Sequence, residues 1–254
     1  MLIPNKISEN KIKEFFIKMG LEKTLFSKSN KKENVYPPNI KDLYFLFKII
    51  TLNKRIRLLE FGTGYSTLVM SLALKFNYIK YKNIKFEELG ISSPFSFNVI
   101  DDQKKYLEIS KRRVEAFPQK NLIKPVFKYS KCSLTKFNGI YCNEYDSLPN
   151  TIPDFIYLDG PDINEINNSI NGIKLSSGQK YPPLSCDILK IEYFFNPGTI
   201  ILVDGRSANC LFLKNNLQRN WTHKYNNYND QHYFFLNEQT NGVKSKKLIS
   251  FYSS

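Results

Sequence analysis

Ile56-Arg57-Leu58-Leu59-Glu60-Phe61 followed by Gly62-Thr63-Gly64-Tyr65-Ser66-Thr67 decides how the rest of this chain is read. A short apolar run ends in an acid, turns through two glycines and enters a helical stretch, Tyr65 to Phe76. Glycine lets a backbone turn tightly and come close to a ligand, so the element is a strand, a nucleotide-type loop and a helix. Thr67 stands where the third glycine of a dinucleotide fingerprint would be, and no Gly-Lys-Ser/Thr follows as in a P-loop. Both comparisons disfavour a diphosphate. Glu60 at the strand end would repel phosphate and suit a ligand carrying positive charge, such as an ammonium or a sulfonium.

Outward from this loop, apolar runs alternate with amphipathic stretches, the pattern of a doubly wound α/β sheet built by parallel crossovers. Phe97 to Ile100 is the second strand and Asp102 to Phe117 the following helix; Pro125 to Phe127 is a third strand. Asp154 to Leu158 ends at Asp159-Gly160-Pro161, and Thr199 to Val203 ends at Asp204-Gly205. Ligands in open α/β sheets sit at the carboxyl ends of strands, so Asp159 and Asp204 stand where a site is expected. After a helix over Ala208 to Leu217, Trp221 to Tyr228 and His232 to Leu236 form a closing antiparallel pair. Ahead of the first strand, Ser8 caps a helix over Glu9 to Met19 stopped by Gly20. A second helix follows Asn39 and carries Leu43, Phe45, Leu46 and Ile49. The chain thus divides into an N-terminal helical appendage (1–53), the α/β domain (54–238) and a C-terminal tail (239–254).

The acid and Gly-x-Gly at the end of the first strand, with Asp101 and Asp102 closing the second, resemble the class I S-adenosylmethionine-dependent methyltransferases. The resemblance covers roughly Arg55 to Leu236 and implies a mostly parallel seven-stranded sheet of order 3-2-1-4-5-7-6. It implies S-adenosylmethionine as cofactor, held by Glu60, Gly62, Thr63, Gly64, Ser66, Asp101 and Asp102, with Asp101 accepting from the ribose hydroxyls. The stretch Asn77 to Ser96 lengthens the connection, so Asp101 comes 39 positions after Gly62. One of the two adjacent aspartates serves equally well as a helix N-cap.

Substrate class is narrowed by Asp159-Gly160-Pro161. Exocyclic amino-methyltransferases carry an Asn/Asp-Pro-Pro-aromatic element there, whereas here Gly160 intervenes, and Tyr181-Pro182-Pro183-Leu184 has the prolines without the acid. The strand-end acids Asp159 and Asp204 resemble instead those of small-molecule O-methyltransferases, in which such acids act as base or hold a divalent metal. Metal-dependent members show two adjacent acid or amide ligands after the fifth strand. Here Gly205-Arg206 follows Asp204, so one ligand is missing, and a divalent metal stays open. Without one, Asp159 or Asp204 would deprotonate or orient a substrate hydroxyl, or simply cap the next helix. Arg206 would clamp a substrate anion or pair with Asp204, and His232 is a substrate-side candidate at the expected mouth. Asp187 and Glu192 fit a solvated helix face. The polar connection Asp162 to Ser185, with Asn164, Asn167, Asn168 and Asn171, is a candidate lid suited to a hydroxyl-rich or glycan-type acceptor.

Composition sets the remaining bounds. With 254 residues, 42% hydrophobic and 15% aromatic, the chain buries a large core without staples. Cys132, Cys142, Cys186 and Cys210 contain no Cys-x-x-Cys pair, and only two histidines are present, so zinc-ligand spacing is absent. Leu43 to Leu52 is the most apolar stretch, too short to span a bilayer and interrupted by Lys48. With no secretory signal in view, a cytoplasmic, reduced protein is expected. The formal charge of +14 rests on 37 Lys plus Arg, of which only six are Arg. That suits AT-rich codon bias as well as a polyanion, so an RNA-binding protein or an RNA 2′-O-methyltransferase on the same fold is the alternative.

Overall fold

A computed structural model describes the chain except for residues 27–36, 120–121, 162–165, 167, 175–183 and 241. Asn164, Asn167, the Tyr181-Pro182-Pro183 element, the polar stretch before Pro37 and much of the expected lid lie outside the described residues. Three helices come first, α1 (Glu9–Lys18), α2 (Glu22–Phe26) and α3 (Ile40–Leu52). Asn39 caps α3 by accepting from Lys41 N through its side chain, as expected of this residue type. Then follow β1 (Arg57–Phe61), α4 (Tyr65–Tyr81), β2 (Ser96–Asp101), α5 (Lys104–Glu115) and β3 (Val126–Tyr129). A hairpin of β4 (Cys132–Phe137) and β5 (Ile140–Tyr145) precedes β6 (Phe155–Leu158). The two-residue strands β7 (Ser169–Ile170) and β8 (Ile173–Lys174) and the short helix α6 (Asp187–Ile191) lead to β9 (Ile200–Asp204). The chain closes with α7 (Ser207–Asn216), β10 (Trp221–Asn226), β11 (Gln231–Leu236) and α8 (Val243–Ser253).

Seven strands form one sheet in the order β10-β11-β9-β6-β1-β2-β3. Counted along the sheet strands alone, this is the expected 3-2-1-4-5-7-6. β11 pairs antiparallel with both neighbours, while the pairings among β9, β6, β1, β2 and β3 are parallel. Strand side chains alternate between faces, and the core divides accordingly. Leu58, Phe155, Tyr157, Ile200, Leu202 and Tyr233 pack on the face covered by α3, α4, α5 and α8. Leu59, Phe61, Ile156, Leu158, Ile201, Val203 and Phe234 pack on the other, with α6, α7 and the β4–β5 hairpin.

The N-terminal helices pack on the sheet, with Ile12, Phe16, Phe45 and Ile49 in the same core cluster as its strands. One expectation is corrected here. The expected tail contains α8, whose Leu248, Phe251 and Tyr252 are buried in that cluster. Tyr252 donates its hydroxyl to Asp154 Oδ2 at 3.0 Å, and Asp154 also accepts from the Ile56 and Arg57 amides. The Arg55 guanidinium stacks 3.9 Å from the centre of the Tyr252 ring. This cluster ties the last helix to the entrance of the first strand. Among the described residues no helix is long and apolar enough to cross a membrane.

Candidate active site

The carboxyl ends of β1, β6 and β9 open into a cleft of about 300 Å³, bounded by the start of α3, the Gly62–Gly64 loop and one side of α5. Thr63, Gly64, Tyr65 and Ser66 form its floor, where the first turn of α4 carries amides with no intrahelical acceptor. Tyr106, Ser110 and Arg113 of α5 line one end, with the Arg113 guanidinium 3.8 Å from the centre of the Tyr65 ring. Asp42, Tyr157, Asp159 and Asp204 line the other. One end is thus cationic and the other carries three carboxyls. A second chamber of about 560 Å³ shares Pro38, Asn39, Asp42 and Asp204 with the first and continues to Asp230.

The glycine loop does two different jobs. Gly62 has φ +88°, and a Cβ there would fall 2.8 Å from Gly160 N and 2.9 Å from Asp159 C. Gly62 and Gly160 therefore let the β1 and β6 loops touch backbone to backbone. Gly64 is extended, and a Cβ on it would meet only Ser66 Oγ at 3.6 Å. It is Gly64 that leaves the cleft floor open to a ligand.

Glu60 does not face the cleft as its position suggested. Alternation along β1 points it under α4, where it is 0% exposed and accepts from Ser66 Oγ at 2.5 Å and Thr67 Oγ1 at 2.7 Å. Burial raises its carboxyl to about 8, against the pull of the two hydroxyls. It anchors the loop to the helix and does not line the cleft.

Asp101 sits beside the loop, since Gly62 N donates to Ile100 O and Phe61 pairs with Ile100. Its Oδ1 accepts from Gln103 N at 2.8 Å, in the turn that opens α5, and the Asp102 carboxyl acts on it electrostatically. Both are buried, and burial, with Asp102 adding to it, raises Asp101 to about 8. Neither aspartate is among the residues that line the 300 Å³ cleft.

Asp204 is fully engaged by the protein, accepting from Tyr157 hydroxyl at 2.9 Å on Oδ2 and from Gln231 Nε2 at 3.1 Å on Oδ1. Burial raises it, and these two donors lower it. Asp159 is different, with 48% of its side chain open to the cleft. The surrounding walls push its carboxyl up, Arg206 draws it down, and water at the open side moderates both. Arg206 pairs with Asp159 and not with Asp204. Its Nε lies 3.8 Å from Asp159 Oδ1, and its terminal nitrogens donate to the carbonyls of Asp159 and Pro161. Among the described residues no group of three or more His, Cys, Asp or Glu side chains converges as a metal site.

His232 faces away. Even-numbered residues of β11 point to the α7 side, where His232 Nε2 lies 3.2 Å from Ser207 Oγ and Nδ1 lies 3.1 Å from His223 Nε2. Asp187 and Glu192, expected on a solvated face, are 2% and 1% exposed. Asp187 accepts from Tyr145 N and Ser185 Oγ; Glu192 accepts from the Gln218 and Arg219 amides and from Trp221 Nε1. Asn168 holds the hairpin by exchanging hydrogen bonds with the Leu134 backbone. Asp42, Tyr157, Arg113 and Gln231 had escaped sequence reasoning. For Tyr157 and Gln231 the signal was strand alternation, which puts them on the same sheet face as Leu202 and the cleft.

No family model matches the chain, and no curated protein does. Among solved structures it is similar to the O-methyltransferase TomG from Streptomyces achromogenes, solved with S-adenosylmethionine. The identity is 11% across 94% of this chain and 93% of that one, with a TM-score of 0.42. A putative caffeoyl-CoA O-methyltransferase from Staphylococcus aureus is 11% identical over 89% and 99% of the two chains, at a TM-score of 0.47. An O-methyltransferase from Bacillus cereus in complex with S-adenosylhomocysteine is 13% identical over 94% of each, at 0.40. At such identity and superposition the likenesses say nothing of activity. The functional argument rests on this chain's own strand order and cleft.

Proposed function

We propose that this chain is an S-adenosylmethionine-dependent methyltransferase acting on an oxygen of a small polar acceptor. The observation that carries the reading is the cleft over the Gly62–Gly64 loop. It sits at the carboxyl ends of β1, β6 and β9 in a sheet of order 3-2-1-4-5-7-6, where an α/β sheet places its ligand. Its charges suit the cofactor's amino-acid portion. The first-turn amides of α4 suit the carboxylate, and the carboxyls on the β6 and β9 side suit the ammonium on the same carbon and the sulfonium. Gly64 keeps the floor free of a side chain. Asp101 is the residue we assign to the ribose hydroxyls, by its position beside Gly62 at the end of β2.

The cofactor, when bound, supplies an electrophilic methyl group for in-line displacement from sulfur. What the protein adds is alignment, exclusion of water and one proton acceptor. Asp159 is assigned that last part, because its carboxyl opens to the cleft while Arg206 fixes its backbone. Asp204, bonded by Tyr157 and Gln231, is a positioning residue that shapes the wall.

The test is calorimetric titration with S-adenosylhomocysteine on wild type and on Gly64→Leu, a substitution that fills the floor. Micromolar binding by wild type, lost in a Gly64→Leu protein that melts at the wild-type temperature, supports the reading. A folded wild type that binds no S-adenosylhomocysteine sinks it.

A further inference from the structure

We propose that Asp42 selects an acceptor carrying a protonated amine, held in the chamber next to the cofactor cleft. The inference rests on the methyltransferase reading and deepens it by naming the charge of the substrate.

Three observations converge on Asp42. It lines both chambers, at the point where they join. Its Oδ1 is buried and, among the described residues, has no hydrogen-bond partner, although an acid at the third helical position after an Asn cap ordinarily reaches back to the helix start. A buried carboxylate oxygen without a donor is costly, and a ligand that brings an N–H relieves the cost. The other two cleft carboxyls are already attended, Asp204 by Tyr157 and Gln231 and Asp159 by Arg206.

Among the described residues, the groups around Asp42 leave its charge uncompensated. Asp204 at the end of β9, Asp159 after β6 and Asp230 in the β10–β11 turn all raise its carboxyl, to about 7 together with burial, which is the largest cause. Lys41, on the same helix, acts the other way, but its Nζ lies 4.0 Å from Glu9 Oε2 and over the Tyr228 ring. Lys6 also sits over Tyr228. In a chain of net charge +14 the described lining of this chamber is therefore a local excess of carboxyls, Glu9, Asp42, Asp204 and Asp230 against Lys41, with Asn39 and Asn229 as neutral partners for hydroxyls. Anionic acceptors are repelled from it, RNA phosphates among them, and an ammonium is drawn to it.

The test uses glucosamine as the probe, with glucose and glucuronate as its neutral and anionic counterparts. Each is titrated by calorimetry into the S-adenosylhomocysteine-saturated protein at pH 6.5, in two buffers of different ionisation heat. Wild type is expected to bind glucosamine at least about tenfold more tightly than glucose, and to bind glucuronate no better than glucose. The heat should depend on the buffer, because ammonium binding ionises Asp42 and releases a proton. Asp42→Asn is expected to lose both the preference and the proton release while keeping its melting temperature, and Asp42→Glu to recover part of the preference. Equal binding of glucosamine and glucose, absence of binding by all three, or a preference that survives in Asp42→Asn overturns the proposal. The cofactor reading is judged separately, by S-adenosylhomocysteine binding to wild type.

Discussion

Gly62→Ala and Gly64→Ala look alike in sequence, yet the structure assigns them opposite consequences. At Gly62 an alanine is held at φ +88°, in the left-handed region that costs an L-residue about 1–2 kcal/mol. Its Cβ would also fall 2.8 Å from Gly160 N and 2.9 Å from Asp159 C. Those are backbone atoms on a neighbouring loop and cannot swing aside, so β1 and β6 must part. We expect a total loss of about 3 kcal/mol or more, a drop in melting temperature of roughly 6–12 °C for a domain of this size. At Gly64 the backbone is extended, and the added Cβ meets only Ser66 Oγ at 3.6 Å, so stability changes by less than about 1 kcal/mol. The cost there falls on S-adenosylhomocysteine affinity, because the methyl group stands on the cleft floor. Thermal unfolding paired with calorimetry on both variants measures the contrast. If Gly62→Ala melts within about 2 °C of Gly64→Ala, the backbone contact is not the reason for that glycine.

Three further outcomes follow from named contacts. Glu60, raised to about 8 from an ordinary 4.5, keeps a proton in the native state that the unfolded chain has released. Its contribution is present below about 4.5 and is lost as pH rises through about 8, at up to about 1.4 kcal/mol per pH unit. Glu60→Gln should match wild type in thermal melts at pH 5 and exceed it by about 1–3 kcal/mol at pH 8, whereas a constant difference across that range would contradict the assignment. Tyr252→Phe removes the hydroxyl bonded to Asp154 at 3.0 Å, and should cost about 1.5–3 kcal/mol in denaturant unfolding; an unchanged midpoint would mean that α8 is held by apolar packing alone. Asp101→Ala should weaken S-adenosylhomocysteine at least about tenfold if it holds the ribose, roughly 1.4 kcal/mol. A change below twofold would move the ribose elsewhere on the loop.

Most of the sheet was legible because its signals are local. Apolar runs that end in Glu60, Asp101, Asp159 and Asp204 mark four strand ends, and the helices between them require parallel pairing. The β4–β5 hairpin was legible too, though it went unread. Phe137-Asn138-Gly139-Ile140 carries the Asn-Gly pair of a two-residue turn, and both residues take positive φ, +49° and +80°. The Asn171-Gly172 pair between β7 and β8 repeats it. What was not legible is α8. Its sequence mixes lysines with a few apolar residues, and it becomes a core element only because Tyr252 reaches Asp154 and Arg55, about one hundred and two hundred positions earlier.

The site was half legible, and the division follows from which face a strand residue points to. Knowing that a carboxylate ends a strand places it at the right edge of the sheet, but only its parity with the packed neighbours says whether it meets the cleft. Glu60 shares parity with Leu58, whose face lies directly beneath α4, so it is covered by Ser66 and Thr67. Asp204 shares parity with Leu202, but the region beyond it is open between α3 and the β10–β11 turn, so it reaches the cleft. His232 and Gln231 are adjacent in sequence and therefore on opposite faces: the histidine meets Ser207 and the glutamine holds Asp204. Asp42 was beyond this reasoning altogether. It lies on a helix that precedes the sheet, and nothing local reveals that the start of α3 closes one wall of the cleft. Its neighbours Asp159, Asp204 and Asp230 stand more than a hundred positions later in the chain. Local pattern therefore located the glycine-loop side of the cleft, while the Asp42 side is assembled only by the tertiary fold.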